Sequence, residues 1–132
     1  MIGIVVVTHG RIAEELVVAA RTIVGEVPAI VAVSIGWGDD PAAANAAIER
    51  GFAEAGAGDT LVLTDMFGGT PTNLSLPYLS DRVEIVTGVN LPMIIKASAL
   101  REGALVEVAR AVREQGKGAI YVASEVLAKK AT

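Results

Sequence analysis

The sequence predicts an α/β fold with a mostly parallel sheet covered by helices on both faces, and three observations carry that expectation. Five short apolar runs rich in β-branched residues punctuate the chain, at positions 2–7 (IGIVVV), 29–34 (AIVAVS), 60–64 (TLVLT), 82–87 (RVEIVT) and 119–124 (AIYVAS). Segments with helical spacing of apolar residues separate them, and such alternation of strand and helix signals a parallel sheet. The first three runs are almost continuously hydrophobic, as strands buried on both faces are.

Taken in order, the run at 2–7 is followed by Ile12, Leu16, Ala19, Ala20 and Ile23 at helical spacing, with Gly25 and Pro28 as a stop signal. After the run at 29–34, Asp40-Pro41 supplies an N-cap and a proline at the first helical position, and an alanine-rich helix extends to about Ala55. Thr70-Pro71 repeats the device after the third run, for a short helix ending near Leu79. The fourth run alternates Arg82 and Glu84 with Val83 and Ile85, which places it nearer a sheet edge. A helix at 93–100 follows Pro92, and a more polar one at 104–115 is closed by Gly116 before the fifth run. No internal repeat or linker stands out, and the tail Lys129-Lys130-Ala131-Thr132 is too short to lead into another domain.

Composition narrows the chemistry. A chain of 132 residues fits one domain over positions 1–132, burying about two-thirds of its unfolded surface. With no cysteine, disulfides, thiolate metal sites and cysteine nucleophiles are excluded, and one histidine excludes a multi-histidine metal site within a single chain. A net charge of −4 and a pI near 4.9 argue against nucleic-acid binding. The mean hydropathy of +0.53 raises the question of a membrane span, but no apolar run approaches the roughly 18 residues required. The start lacks a basic segment, and Arg11, Glu14 and Glu15 interrupt any signal-like stretch, so the expected location is cytoplasmic.

In such a sheet the reactive groups gather beyond the carboxyl ends of the strands. The residues that follow the first, second, third and fourth runs are Thr8-His9-Gly10-Arg11, Gly36-Trp37-Gly38-Asp39-Asp40, Asp65–Asn73 (DMFGGTPTN) and Gly88–Met93 (GVNLPM). If the first and third strands are neighbours, as in a 2-1-3-4 order, His9 and Asp65 stand at adjacent strand ends within hydrogen-bond reach. A carboxylate on one imidazole nitrogen fixes the tautomer and turns the other lone pair outward as a nucleophile. Gly10 and the Gly68-Gly69 pair let backbone amides approach an anion such as a phosphoryl group, with Thr8, Thr70 and Thr72 as hydroxyl donors.

Each of these features also has a plainer explanation. A lone histidine at a strand end is commonly packed or solvent-facing, and Asp65 and Gly68-Gly69 suit an ordinary turn. Asp39-Asp40 fits a helix cap better than a cation site. Trp37, Met66 and Phe67 fit either a core or an apolar docking rim beside the polar site. No Walker A or G-x-G-x-x-G pattern is present, so nucleotide binding has no support.

Together, Val7-Thr8-His9-Gly10, Asp65–Asn73 and Gly88-Val89-Asn90-Leu91-Pro92-Met93 resemble the IIA component of the mannose family of the bacterial phosphoenolpyruvate-dependent sugar phosphotransferase system. The D-x-x-G-G-[ST]-P-x-N segment is the most specific of the three. The resemblance spans essentially the whole chain and implies a doubly wound sheet in 2-1-3-4 order, with a C-terminal antiparallel strand, here 119–124, exchanged between the subunits of a homodimer. It implies a phosphotransferase in which His9 is transiently phosphorylated by HPr and Asp65 orients the ring. Thr8, Gly10, Gly68, Gly69 and Thr70 would then form the phosphate environment, with Trp37, Met66 and Phe67 at the docking surface. No cofactor or metal is implied, and contact with a membrane transporter is peripheral at most. Some relatives carry a IIB domain on the same chain; here the expected IIB acceptor is a separate protein. The phosphotransferase subunit of a dihydroxyacetone kinase and a purely regulatory IIA protein are the alternatives. A response-regulator receiver fits poorly, because the first strand ends in Thr-His-Gly rather than near an acidic pair.

Overall fold

Ile4, Val5, Val6 and Val7 are wholly buried, and this unbroken aliphatic run forms the centre of the strand β1 (Gly3–His9). The computed structural model describes residues 1–131; Thr132 of the short tail lies outside the described residues. After β1 come α1 (Ile12–Val24), β2 (Ile30–Ile35), α2 (Pro41–Ala55), β3 (Thr60–Thr64) and α3 (Thr70–Ser75), the last running into a 3-10 turn at Leu76–Tyr78. Then follow β4 (Val83–Thr87), α4 (Leu91–Ala99), α5 (Leu105–Gly118) and α6 (Ala123–Ala131). The strands are parallel in the order β2-β1-β3-β4, with β4 at an edge as its alternating sequence predicts.

The pleat divides the core into two layers. Ile4, Val6, Leu61 and Leu63 face α1, α4 and α5 on one side of the sheet. Val5, Val7, Val33, Ile35 and Val62 face α2, with Ile48 fully buried among them, on the other. Asp40 caps α2 by accepting from the Ala43 amide at 2.7 Å, with Pro41 at the first helical position. Gly51 brings that helix close to the sheet: a Cβ there would stand 2.6 Å from Val33 Cγ2 and 3.3 Å from Val5 Cγ1.

Three sequence expectations need correction. On α1 the buried residues are Ala13, Val17 and Ala20, while Ile12 and Ile23 are exposed. The small Ala13 and Ala20 allow close approach to the sheet, and the helix is rotated to use them. Gly116 does not close α5, which continues to Gly118. It is a packing glycine, since a Cβ there would come within 2.6 Å of Met93 Cγ and Sδ. The run at 119–124 forms no strand: 119–122 is irregular and α6 takes over from Ala123. A strand requires a neighbour for its backbone groups, and the segment does not pair with the free edge of β4. The following sequence, ASEVLAKKA, is made largely of helix formers.

At the end of the sheet away from His9, the buried Arg101 guanidinium donates to the carbonyls of Ile2, Pro28 and Ala29. This ties the α4–α5 connection to the start of β1 and to the turn before β2. The Gly51→Ala variant tests the close α2–sheet contact. Its gain in helix propensity, about 1 kcal/mol, is outweighed by about 2 kcal/mol of overpacking against a stiff valine. A net loss of about 1 kcal/mol is therefore expected in urea denaturation.

Candidate active site

The register of β1 against β3 builds the site. Val7 lies opposite Thr64, the last residue of β3, so Asp65 emerges beside the end of β1, which runs on to His9. Asp65 Oδ2 accepts from the His9 backbone N–H at 3.0 Å and lies 2.7 Å from His9 Nδ1. An ionised carboxylate only accepts, so Nδ1 carries the hydrogen and Nε2 presents its lone pair. Asp65 Oδ1 accepts from the Met66 amide at 3.0 Å, so both carboxylate oxygens are engaged.

Burial alone would push the Asp65 carboxyl up. The His9 backbone N–H, the His9 ring hydrogen bond and charge, and a backbone hydrogen bond at Asp65 itself outweigh it and hold the group below its ordinary 3.8. The carboxylate is therefore ionised throughout the neutral range.

Three further features frame the imidazole. Trp37, on the loop after β2, stacks on it with ring centroids 5.1 Å apart and planes 19° from parallel. Gly69 closes in at the other nitrogen, where a Cβ would stand 2.7 Å from His9 Cε1 and 3.2 Å from Nε2. Gly10 adopts φ +54° beneath the indole, with Trp37 Nε1 3.1 Å from where its Cβ would lie. A side chain at Gly69 would occupy the space next to His9 Nε2, and one at Gly10 would crowd the indole.

The remaining candidate residues divide between the surface and the interior. Trp37 is 83% exposed and Phe67 73%, with Met66 also exposed, so these residues form a rim rather than core. Gly68, at φ +87°, is exposed on the loop that carries Gly69, and Thr70 is exposed at the first position of α3. Thr8 is different: its hydroxyl is buried, accepts from the Ala13 amide at 2.7 Å and donates to the His9 carbonyl at 3.2 Å. It secures the first turn of α1 from within the core. Thr72 is likewise buried. Asp39 accepts from the Gly36 amide at 2.8 Å and Asp40 caps α2, so both carboxylates serve local backbone. Asn90 caps α4 through the Met93 amide and donates to the Gly116 carbonyl. Sequence reasoning did not reveal Asn73, whose side-chain amide donates to the Gly68 carbonyl at 3.3 Å. Its only signal was its place in the DMFGGTPTN segment.

The family model described as "PTS system fructose IIA component" matches residues 3–113. The chain belongs to the IIA family of the sugar phosphotransferase system. It is 34% identical over 109 residues to the mannose-specific EIIAB component of Escherichia coli K12, covering 76% of this chain and 32% of that one. The chain thus spans about a third of the length of that relative. It is also 34% identical over 74 residues to the fructose-specific EIIA component of Bacillus subtilis, covering 54% of this chain and 51% of that one. Among solved structures, the mannose/sorbose-specific IIA subunit from Enterococcus faecalis superposes with a TM-score of 0.83 at 31% identity, covering 91% of this chain and 92% of that one. The EIIA component from Streptococcus agalactiae gives 0.84 at 25% identity, covering 95% and 99%. These relatives do not favour the dihydroxyacetone-kinase or purely regulatory readings. Among the described residues, no helix is long and apolar enough to cross a membrane.

A group held low in the folded state stabilises above its ordinary pKa, and this contribution fades as the pH falls through the folded value. The stability gap between the parent and Asp65→Asn, measured in urea, is thus expected to persist to about pH 4 and narrow below it. A gap already closed near pH 5 would show that the carboxyl is not held low.

Proposed function

We propose that His9 accepts a phosphoryl group at Nε2 from phospho-HPr and passes it to a IIB acceptor in the cytoplasm. The observation that carries this reading is the 2.7 Å contact between His9 Nδ1 and the Asp65 carboxylate, which leaves Nε2 without a hydrogen bond among the described residues. The chain's single histidine is His9, so a phosphohistidine intermediate has one possible seat.

In the forward step the Nε2 lone pair attacks phosphorus as the donor's P–N bond breaks, its electron pair returning to the donor ring. The proton on Nδ1 stays in the hydrogen bond with Asp65, whose negative charge stabilises the cationic phosphoimidazole. The group adds about −1.5 to −2 charge by analogy with other phosphoresidues. Gly68, Gly69 and Thr70 line the approach, as does the start of α1, whose N-cap Arg11 makes no side-chain cap bond. Thr8 acts indirectly, by fixing that first turn. Trp37, Met66 and Phe67 offer partners a desolvating rim around the reacting atoms. IIB receives the phosphoryl by the reverse exchange.

Incubation with phosphoenolpyruvate, enzyme I and HPr is expected to give acid-labile phosphate on the parent and none on His9→Ala. Labelling that survives in His9→Ala sinks the assignment.

The same reading includes a homodimer. The free edge of β4 borders an open groove lined by Phe67, Leu79, Ile85, Val106, Arg110 and Arg113. Ile120, Tyr121 and Val122 stand exposed on the irregular segment after α5. Pairing of 119–122 with a second subunit would satisfy its backbone and cover these side chains. Sedimentation is expected to show a dimer for the parent and a monomer for the Ile120→Asp/Val122→Asp double variant. A parent that remains monomeric at every concentration tested overturns the exchange.

A further inference from the structure

We propose that Thr72 is a positioning residue for phosphoryl transfer, acting through Asp65; the inference rests on the proposed role of His9 and Asp65. The loop that carries Asp65 has little packing to hold it. Met66, Phe67 and Gly68 are exposed, and Gly68 adopts φ +87°. Yet the carboxylate must meet two nitrogens of His9 with one oxygen, at 3.0 and 2.7 Å. That demands a fixed backbone on both sides of Asp65.

Thr72 supplies it. The residue is fully buried in α3, and its Oγ1 lies 2.7 Å from Thr64 Oγ1 and 2.6 Å from the Met66 carbonyl oxygen. Thr64 and Met66 are the two chain neighbours of Asp65, so one hydroxyl spans the residue that orients the histidine. Two hydroxyl hydrogens serve both contacts when Thr64 donates to Thr72 and Thr72 donates to the Met66 carbonyl. The upstream side is also anchored by the Val89 amide, which donates to the Thr64 carbonyl at 2.9 Å. At Met66 itself, the Thr72 hydroxyl is the partner that reaches the carbonyl from the buried side. Removing it orphans the Met66 carbonyl and leaves the buried Thr64 hydroxyl without its partner, a change relieved by movement of the loop. The Asp65 carboxylate moves with it. Buried as it is, Thr72 does not contact the phosphoryl group and is not a catalytic residue.

The test uses Thr72→Val, which keeps the shape and deletes the hydroxyl, and Thr72→Ser, which keeps the hydroxyl. Misplacement of a reacting group by about 1 Å can cost on the order of 100-fold, so a partly relaxed loop is expected to slow labelling by phospho-HPr about tenfold in Thr72→Val. Thr72→Ser is expected to restore the rate to within about threefold, because the hydroxyl contact is regained. In the Asp65→Asn background, Thr72→Val should add no further slowing, since groups acting through one contact are non-additive. An equal slowing in both backgrounds would place the effect outside Asp65 and overturn the proposal.

A second readout is independent of phosphorylation. The 15N shifts of the His9 ring report its tautomer. The parent and Thr72→Ser should show hydrogen on Nδ1, and Thr72→Val a mixture. Unchanged ring shifts in a folded Thr72→Val overturn the proposal even if no variant is ever phosphorylated. Failure of the parent to label, with the shift change intact, counts against the phosphocarrier reading alone. Should Thr72→Val not fold, Thr72→Ala carries both measurements with the same expected directions.

Discussion

The parallel pairing of β1 with β3 is the constraint on which the rest of the molecule depends. Because Val7 sits opposite Thr64, the two strands deliver a histidine and an aspartate to the same edge of the sheet. They stand 56 positions apart, with two helices and two whole strands between them, so no local propensity brings them together. What sets the register is the apolar content of both strands. A slip by one residue would send Val5, Val7 and Val62 to the wrong layer, exchanging places with Ile4, Val6 and Leu61. The chemistry at the edge therefore inherits its precision from the packing of the core.

Around that fixed pair, buried threonines and exposed large apolar side chains take different duties. Thr8 and Thr72 are buried and hold backbone, one at the start of α1 and the other across the Asp65 loop. Trp37 stacks on His9 from the loop after β2, and Met66 and Phe67 stand exposed on the loop that follows Asp65. In the proposed phosphocarrier role, an apolar rim around His9 suits transient, desolvated encounters with a donor and an acceptor. Glycine performs the finer shaping, with Gly69 leaving space next to Nε2 that any side chain would fill.

Much of this was legible in the sequence. The strand and helix succession, the Asp40-Pro41 cap, the edge position of the fourth strand and the meeting of His9 with Asp65 all follow from residue patterns and chemistry. The facing of α1 did not. Periodicity marks an apolar stripe from Ile12 to Ile23, but the helix turned to bury Ala13, Val17 and Ala20, because close approach to the sheet favours the small residues. Gly116 read as a stop and serves as a contact for Met93. The AIYV segment read as a strand, and within one chain it has no neighbour to make it one.

By itself the sequence determined which residue types were available: one imidazole, no thiol, and a carboxylate due at a strand end. It also determined the alternation of elements, because hydrophobic periodicity and capping are local properties. Only the tertiary structure decided which hydroxyls face inward, which aromatic ring lies on the histidine and which glycine makes room for it. Those outcomes depend on helix rotation and on loop paths set by contacts between distant segments, and no window along the chain contains them.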